Sequence, residues 1–183
     1  MAKIIAAMNM TLDGYCDHTV MNADDQIHEH YSDLLRDSGA ALYGRKTYQL
    51  MEFWPTLVKE PSGNKAMDEF AILMDEIPKI VFSRTLKQLD WPTARLALND
   101  LKDEVLELKR YKGKPAVIGS PGLIAAVTKL GLVDEYQLSI HPTIVGSGLT
   151  LFKDITDRVD LKLINTKTFD CGAVTLYYEP TKK

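Results

Sequence analysis

Two stretches of the chain run an apolar strand straight into glycine and then into a helix: Ala40-Ala41-Leu42-Tyr43-Gly44-Arg45-Lys46-Thr47 and Pro115-Ala116-Val117-Ile118-Gly119-Ser120-Pro121-Gly122-Leu123. A helix that starts just after a buried strand turns unpaired N–H groups and the positive end of its dipole toward the strand's C-terminal edge, where phosphate groups bind. Glycine suits such a junction because, without a Cβ, backbone N–H groups can approach a pyrophosphate closely and positive φ is open. Two junctions of this kind suggest a dinucleotide. A further set, Ser83, Arg84 and Thr85, follows the end of a predicted strand next to the one that leads into Arg45 and Lys46. A guanidinium with hydroxyls beside it is what a 2′-phosphate requires, which favours NADPH over NADH. The plainer alternative for Arg84 and Lys46 is solvated surface charge.

Other nucleotide motifs do not fit. Gly39 and Gly44 bracket four residues before Arg45-Lys46-Thr47, but those four are Ala40-Ala41-Leu42-Tyr43, which favour burial over an open anion-cradling turn. Arg45 also stands where a P-loop requires lysine. The dinucleotide fingerprint GxGxxG is absent, since the second junction offers only Gly119-Ser120-Pro121-Gly122.

The nearest carboxylates to the presumed cleft are Asp13, Asp24, Asp25 and Glu29. Helix capping explains Asp24 or Asp25 as well as catalysis does, and Asp13-Gly14 has the form of a simple turn as much as of a site. His28 and His30 are two apart, so on a helix they leave different faces and cannot form the i, i+4 pair that chelates a metal. No metal site is expected. His28 alone is kept as a candidate. Phe53 and Trp54 suit either the wall of a ring-binding pocket or a packing anchor beside Pro55. Cys16 and Cys171 have no metal or dithiol spacing, which points to reduced thiols and a cytoplasmic setting, and nothing near Cys16 in sequence would lower its pKa.

The elements that must position these residues alternate. Lys3 to Met10 is a continuous apolar run suited to a strand buried on both faces, too short for a signal-peptide core. Asp24 to Asp37 carries Ile27, Tyr31, Leu34 and Leu35 at helical spacing, with Asn22 or Asp24 as cap and Gly39 past the end. The strand Ala40 to Tyr43 follows, then a short helix from Thr47 toward Glu52, then an irregular polar stretch through Trp54-Pro55 and Pro61-Ser62-Gly63-Asn64. A helix marked by Met67, Phe70, Ala71 and Met74 leads to the strand Lys79 to Ser83. A helix striped by Leu101, Val105 and Leu108, capped by Asn99 or Asp100, leads to the strand Ala116 to Ile118 and the helix Leu123 to Leu130. Strands Glu135 to Ile144, Asp160 to Phe169 and Ala173 to Glu179 close the chain, the last two joined by a turn at Asp170-Cys171-Gly172. The pattern predicts one α/β domain with a mixed, mainly parallel sheet between helices and a C-terminal antiparallel hairpin, whose ligands sit at strand C-terminal edges. At 183 residues, one domain is expected. A net charge of -3 gives no general basis for binding nucleic acid, and no stretch has the roughly 18 apolar residues of a membrane span.

Taken in order, Met10-Thr11-Leu12-Asp13-Gly14, Gly44-Arg45-Lys46-Thr47-Tyr48, Val81-Phe82-Ser83-Arg84-Thr85, Ile118-Gly119-Ser120 and Gly131-Leu132-Val133-Asp134-Glu135, followed by Pro142 and Gly146-Ser147-Gly148-Leu149-Thr150-Leu151-Phe152, resemble the dihydrofolate reductase-like superfamily. The similarity is closer to the reductase half of the bifunctional riboflavin-biosynthesis deaminase/reductase and its stand-alone bacterial relatives, and it spans nearly the whole chain. The resemblance implies a three-layer sandwich that binds NADPH, with Gly44 to Thr47 and Gly119 to Leu123 flanking the pyrophosphate and Ser83 to Thr85 meeting the 2′-phosphate side. It places Ala7, Asp13 and Gly14 beside the nicotinamide, and the substrate near helix one, in range of Asp24, Asp25, His28 and Tyr31, with Trp54 as a further pocket wall. Dihydrofolate reductases proper carry a helix-one carboxylate in a W-x-x-P-x-[DE] setting that this chain lacks; the equivalent place falls near His28 or Glu29. The zinc motif of a deaminase partner domain is also missing. The implied activity is hydride transfer from NADPH to a small heterocyclic, pteridine- or ribosylaminopyrimidine-like substrate, with Asp13, His28 or Glu29 as proton source. A non-catalytic NADP-binding protein, or a dihydrofolate reductase, is the rival. A homodimer is expected, with Leu149, Leu151 and Phe152 near the C-terminal strands as contributors.

Overall fold

The computed structural model describes residues 1–21 and 23–181. Its centre is a strand with apolar side chains on both faces. β1 (Ile4–Thr11) pairs in parallel with β5 (Ala116–Ile118) on one side and β6 (Glu135–His141) on the other. β2 (Ala40–Gly44), β3 (Lys79–Phe82) and β4 (Ala94–Leu96) extend the parallel sheet beyond β5, while β8 (Val174–Pro180) and β7 (Leu161–Thr168) run antiparallel beyond β6. The order is β4-β3-β2-β5-β1-β6-β8-β7.

Alternation along the strands divides the core into two layers, because successive side chains point to opposite faces. On one face Ile4, Ala6, Leu42 and Ile118 pack under Val105 of α5 (Leu101–Arg110) and Ile124 and Val127 of α6 (Pro121–Lys129). On the other, Ile5, Ala7, Ala41, Tyr43 and Val117 pack under Leu34 and Leu35 of α1 (Asp25–Arg36) and Phe70 and Met74 of α4 (Lys65–Glu76). Leu42, Ile118, Ala6 and Tyr136 form one row across four strands, with small Ala6 between large neighbours. Ile4, Leu42 and Ile118 are wholly buried, each stabilising the fold by about 2–3 kcal/mol relative to exposure. This is the expected three-layer α/β sandwich, a dihydrofolate reductase-like fold with the antiparallel hairpin at its end. Among the described residues no helix is long and apolar enough to cross a membrane.

Several boundaries differ from the sequence pattern. The stretch at Trp54-Pro55 is not irregular: it is helix α3 (Trp54–Lys59), with Pro55 in the first turn, where a missing N–H costs nothing. α2 (Arg45–Met51) starts at Arg45, two residues before the expected Thr47, and α6 starts at Pro121. β4 was not expected; three residues carry too short a pattern to detect. β6 stops at His141. Asp100 caps α5, accepting the N–H of Asp103 at 2.9 Å. Asp24 caps α1; the alternative cap, Asn22, lies outside the described residues.

Two buried bases are built into the framework. The Lys79 ammonium lies 3.8 Å from the centre of the Trp91 ring and donates to the carbonyls of Asp75 and Ile77 and to the Thr93 hydroxyl, so all three of its protons are used. Burial lowers its pKa to about 8, with Asp75 opposing the shift. His30 is 6% exposed, its Nε2 has no partner, and its ring lies against Tyr31, Phe169 and Tyr177. Burial, then the nearby Lys167 charge, lowers its pKa to about 4, with Asp33 opposing.

The folded protein therefore keeps His30 neutral where the unfolded chain, with a pKa near 6.5, already binds a proton. This contribution to stability is complete above that value and is lost as pH falls through 4, by about 3 kcal/mol in all. Urea unfolding at pH 7 and 4.5 should show the wild type losing about 2 kcal/mol more than His30→Phe, which has no proton to gain. An equal loss in both proteins would remove His30 from the acid sensitivity.

Candidate active site

β5 lies between β2 and β1, yet its helix leaves to the opposite side. β2 leads into α2 and β1 into α1 on one face, while β5 leads into α6 on the other. Where neighbouring strands send their helices to opposite faces, a crevice opens at the C-terminal edge of the sheet. Both glycine junctions line it.

The two junctions are joined by a hydrogen bond. Ser120 holds the N-cap position of α6, but its hydroxyl does not cap that helix; it accepts the backbone N–H of Gly44 at 2.8 Å. The first turn of α6 is thus left without a side-chain cap, Pro121 has no N–H, and the N–H groups of Gly122 and Leu123 remain for a ligand. A Cβ at Gly122 would meet nothing within 4 Å, so the space over this turn is open. At Gly119 a Cβ would stand 3.1 Å from the buried Tyr43 ring, which explains glycine there. Gly44 caps α2 without a side chain. Arg45 and Lys46 are exposed and Thr47 half-buried beside it. At the end of β3, the Ser83 hydroxyl accepts the N–H groups of Thr85 and Leu86, fixing a turn that presents Arg84 to solvent. Among the described residues Arg84 has no carboxylate partner.

Beyond β5 the edge is built by β1, β6 and the start of α1. Ala7 is buried in the sheet. Asp13 follows β1, and Gly14 turns the chain at φ 89°. The Asp13 carboxylate accepts the Thr11 hydroxyl at 2.6 Å and the N–H groups of Val145 at 3.1 Å and Gly146 at 2.7 Å. The Thr11 hydroxyl and these amides hold its pKa below the usual carboxylate range. A carboxylate so held stays ionised at neutral pH and fastens the loop after β6 to the end of β1. Asp24 accepts the N–H of Ile27 at 2.9 Å and of Cys171 at 3.0 Å. Desolvation raises its pKa, but these amides outweigh that and lower it overall. Asp25 accepts from the Asn64 side chain at 2.7 Å, and Glu29 is exposed.

His28 and His30 leave α1 in different directions, as their spacing requires. The His28 ring stands edge-on to Trp54 and Phe70, with Nδ1 3.0 Å from the Asp24 carbonyl; donation from Nδ1–H there leaves Nε2 as the free acceptor. Trp54 packs on Phe70 at 4.6 Å. Tyr31 donates to Ser139, which bonds Thr175, and burial pushes the Tyr31 phenol well above its ordinary pKa. Burial also raises Cys16 to about 11, so its thiol is neutral.

A polar seam that was not expected from the sequence lies under α1. Thr11, Ser139, His141 and Thr175 are almost wholly buried, and His141 Nε2 lies 3.0 Å from Asn9 Oδ1. Its signal is the polar residue at every second place of strands otherwise apolar: Asn9 and Thr11, then Gln137, Ser139 and His141. A cavity of about 410 Å³ also opens at the opposite edge, near the strand starts, lined by Lys3, His30, Gln137, Lys167 and Tyr177. It has mixed charge and no free helix start, so the crevice is the better candidate.

Comparison with known proteins agrees with this architecture. The YyaP protein of Bacillus subtilis, itself described as uncharacterized, is 35% identical over 181 residues, covering 96% of this chain and 94% of that one. A Thermotoga maritima diaminohydroxyphosphoribosylaminopyrimidine deaminase/5-amino-6-(5-phosphoribosylamino)uracil reductase superposes with a TM-score of 0.67 at 19% identity, over 98% of this chain and 57% of that one. An Enterococcus faecalis dihydrofolate reductase complexed with NADP(H) superposes with a TM-score of 0.65 at 13% identity, over 98% of this chain and 97% of that one. The family model described as the RibD C-terminal domain matches residues 2–175. With the sheet order, the hairpin and this match in agreement, the chain belongs to the RibD C-terminal domain family.

Proposed function

We propose that the protein is an NADPH-dependent oxidoreductase that transfers a hydride to a small pteridine- or ribosylaminopyrimidine-like heterocycle. The observation that carries this reading is the pair of helix starts without side-chain caps on either side of one crevice, tied by the Ser120–Gly44 bond. The residues fit the cofactor. The open space over Gly122 leaves the first turn of α6 free to receive a pyrophosphate, and Arg84, with Arg45 and Lys46, gives cationic donors for a 2′-phosphate. From β3 to β1 the edge spans three strand spacings, about 14 Å, which suits an extended dinucleotide.

Bound NADPH supplies the hydride. The chain's part is to hold donor and acceptor carbons about 3–3.5 Å apart and to provide one proton. Ala7 and Gly14 border the nicotinamide position. Asp13 fixes the loop beside it and, held ionised, serves as an anchor or as a partner to water. Nε2 of His28, on taking a proton from solvent water, is the best-placed group to hand one on, with Glu29 as the solvent-side alternative; Tyr31 and Trp54 bound the ring pocket, and Asp24 and Asp25 its rim.

Calorimetric titration tests the cofactor assignment. NADPH should bind at least tenfold more tightly than NADH, a gap of about 1.4 kcal/mol, and Arg84→Ala should close most of it. Gly122→Val, which fills the open space, should weaken both cofactors at least tenfold while leaving the melting temperature within a few degrees. Binding of neither cofactor to the wild type would overturn the reading; NADPH binding without turnover across pterins, ribosylaminopyrimidines and simple carbonyls would favour the non-catalytic rival.

The partner of this chain is a second copy. Leu151, expected among the contributors, is instead buried in the core, while Leu149, Phe152, Leu163 and Ile164 leave an exposed apolar surface along the edge strand β7 and the loop before it. Light scattering at micromolar concentration should give twice the 20.6 kDa chain mass, and Leu163→Lys should return the monomer. A wild type that scatters as a single chain would rule the dimer out.

A further inference from the structure

The crevice and the ground beside it carry opposite charge. Between Lys3 and Arg36 the sequence has no lysine or arginine, and it places Asp13, Asp17, Asp24, Asp25 and Glu29 there. The fold sets this segment at the C-terminal edge of β1 and β6: the N–H of Leu12 donates to the Thr143 carbonyl at 2.9 Å, and that of Cys16 to Leu149 at 2.8 Å. On the far side of β5 the same edge carries Arg45, Lys46 and Arg84.

The groups that would receive an anion on the acidic side are already occupied by the chain's own carboxylates. The start of α1 is where a phosphate would otherwise bind, but Asp24 fills its cap and Asp25 stands in its first turn. The N–H groups of Val145 and Gly146 are taken by Asp13. What the edge offers a ligand instead is apolar and aromatic: Leu12 is 63% and Ile144 72% exposed, and the half-buried Trp54 stands against His28, with the buried Phe70 behind both rings. Such a surface accepts a flat ring and opposes a phosphate by like charge.

Resting on the reductase reading, we propose that the substrate is a ring compound without a phosphate, neutral or cationic, and that the acidic rim excludes phosphoribosyl compounds of the kind named for the Thermotoga reductase. A cation, Lys65, follows the Asn64 that bonds Asp25 and could anchor a phosphate beside this rim. The test must therefore separate rejection by the rim from anchoring by Lys65.

Two matched pairs serve as probes, a ribosylaminopyrimidine and a dihydropterin, each with its own phosphate ester, titrated by calorimetry into NADPH-saturated protein. In at least one pair the unphosphorylated member should bind tenfold or more tightly than its ester. Asp17→Asn with Asp25→Asn should narrow that ratio at least threefold, with NADPH affinity unchanged as the control for folding, and Lys65→Ala should leave the ratio where it is. Tighter binding of either ester, equal binding within both pairs, or binding of no probe while NADPH binds would overturn the proposal, as would tenfold loss of an ester in Lys65→Ala. Failure of NADPH itself to bind would instead overturn the reductase reading.

Discussion

A serine hydroxyl at a helix start can close its own first turn or reach a neighbouring strand, and Ser120 does the second. By accepting the Gly44 N–H it holds β2 and β5 together at the point where their helices part to opposite faces. Two consequences meet there. The two strand ends are tied to each other, and the positive end of α6 is left without the side chain that would otherwise neutralise it. The surrounding sheet serves this arrangement: β5 is only three residues long, and its position depends on pairing with β1 and β2 on both sides and on full burial of Ile118.

Capping is distributed unevenly, and the unevenness is chemical. α1, α4 and α5 each receive a side-chain oxygen at the N-terminus, from Asp24, Asn64 and Asp100. The two helices that border the crevice receive none. Where caps are present the helix end is quiet toward anions; where they are missing the backbone amides are available. The charges along the edge run the same way, with Arg45, Lys46 and Arg84 on one side and the carboxylates after β1 on the other, while α3, also without a side-chain cap, stands outside this pattern.

The parts of the molecule that are local in sequence were legible there. β1 could be read from an unbroken apolar run, α1 from its periodic stripe, and both junctions from an apolar strand ending in glycine. Failures came where a local rule met a competing one: Pro55 marks a break in most contexts but fits a first helical turn in α3, and β4 is too short to show alternation. The half of the crevice flanked by the two glycine junctions depends on such local signals, apart from the Gly44–Ser120 bond. The other half does not. Asp13 meets Gly146, Tyr31 meets Ser139 and Asp24 meets Cys171, each across more than a hundred residues. Side chains joined at that separation leave no mark in spacing, so the sequence identifies the candidates and only the fold shows which of them are already engaged.

The contact between Asp24 and Cys171 joins residues 147 positions apart, near the first and last elements of the fold. Gln26 reinforces it, accepting the N–H of Asp170 and donating to that residue's carboxylate. The opening turn of α1 and the tip of the β7–β8 hairpin thus share their hydrogen bonds and cannot fray separately. Shared hydrogen bonds of this kind couple the opening of the two segments, so the start of α1 is held by the hairpin as well as by its own first turn.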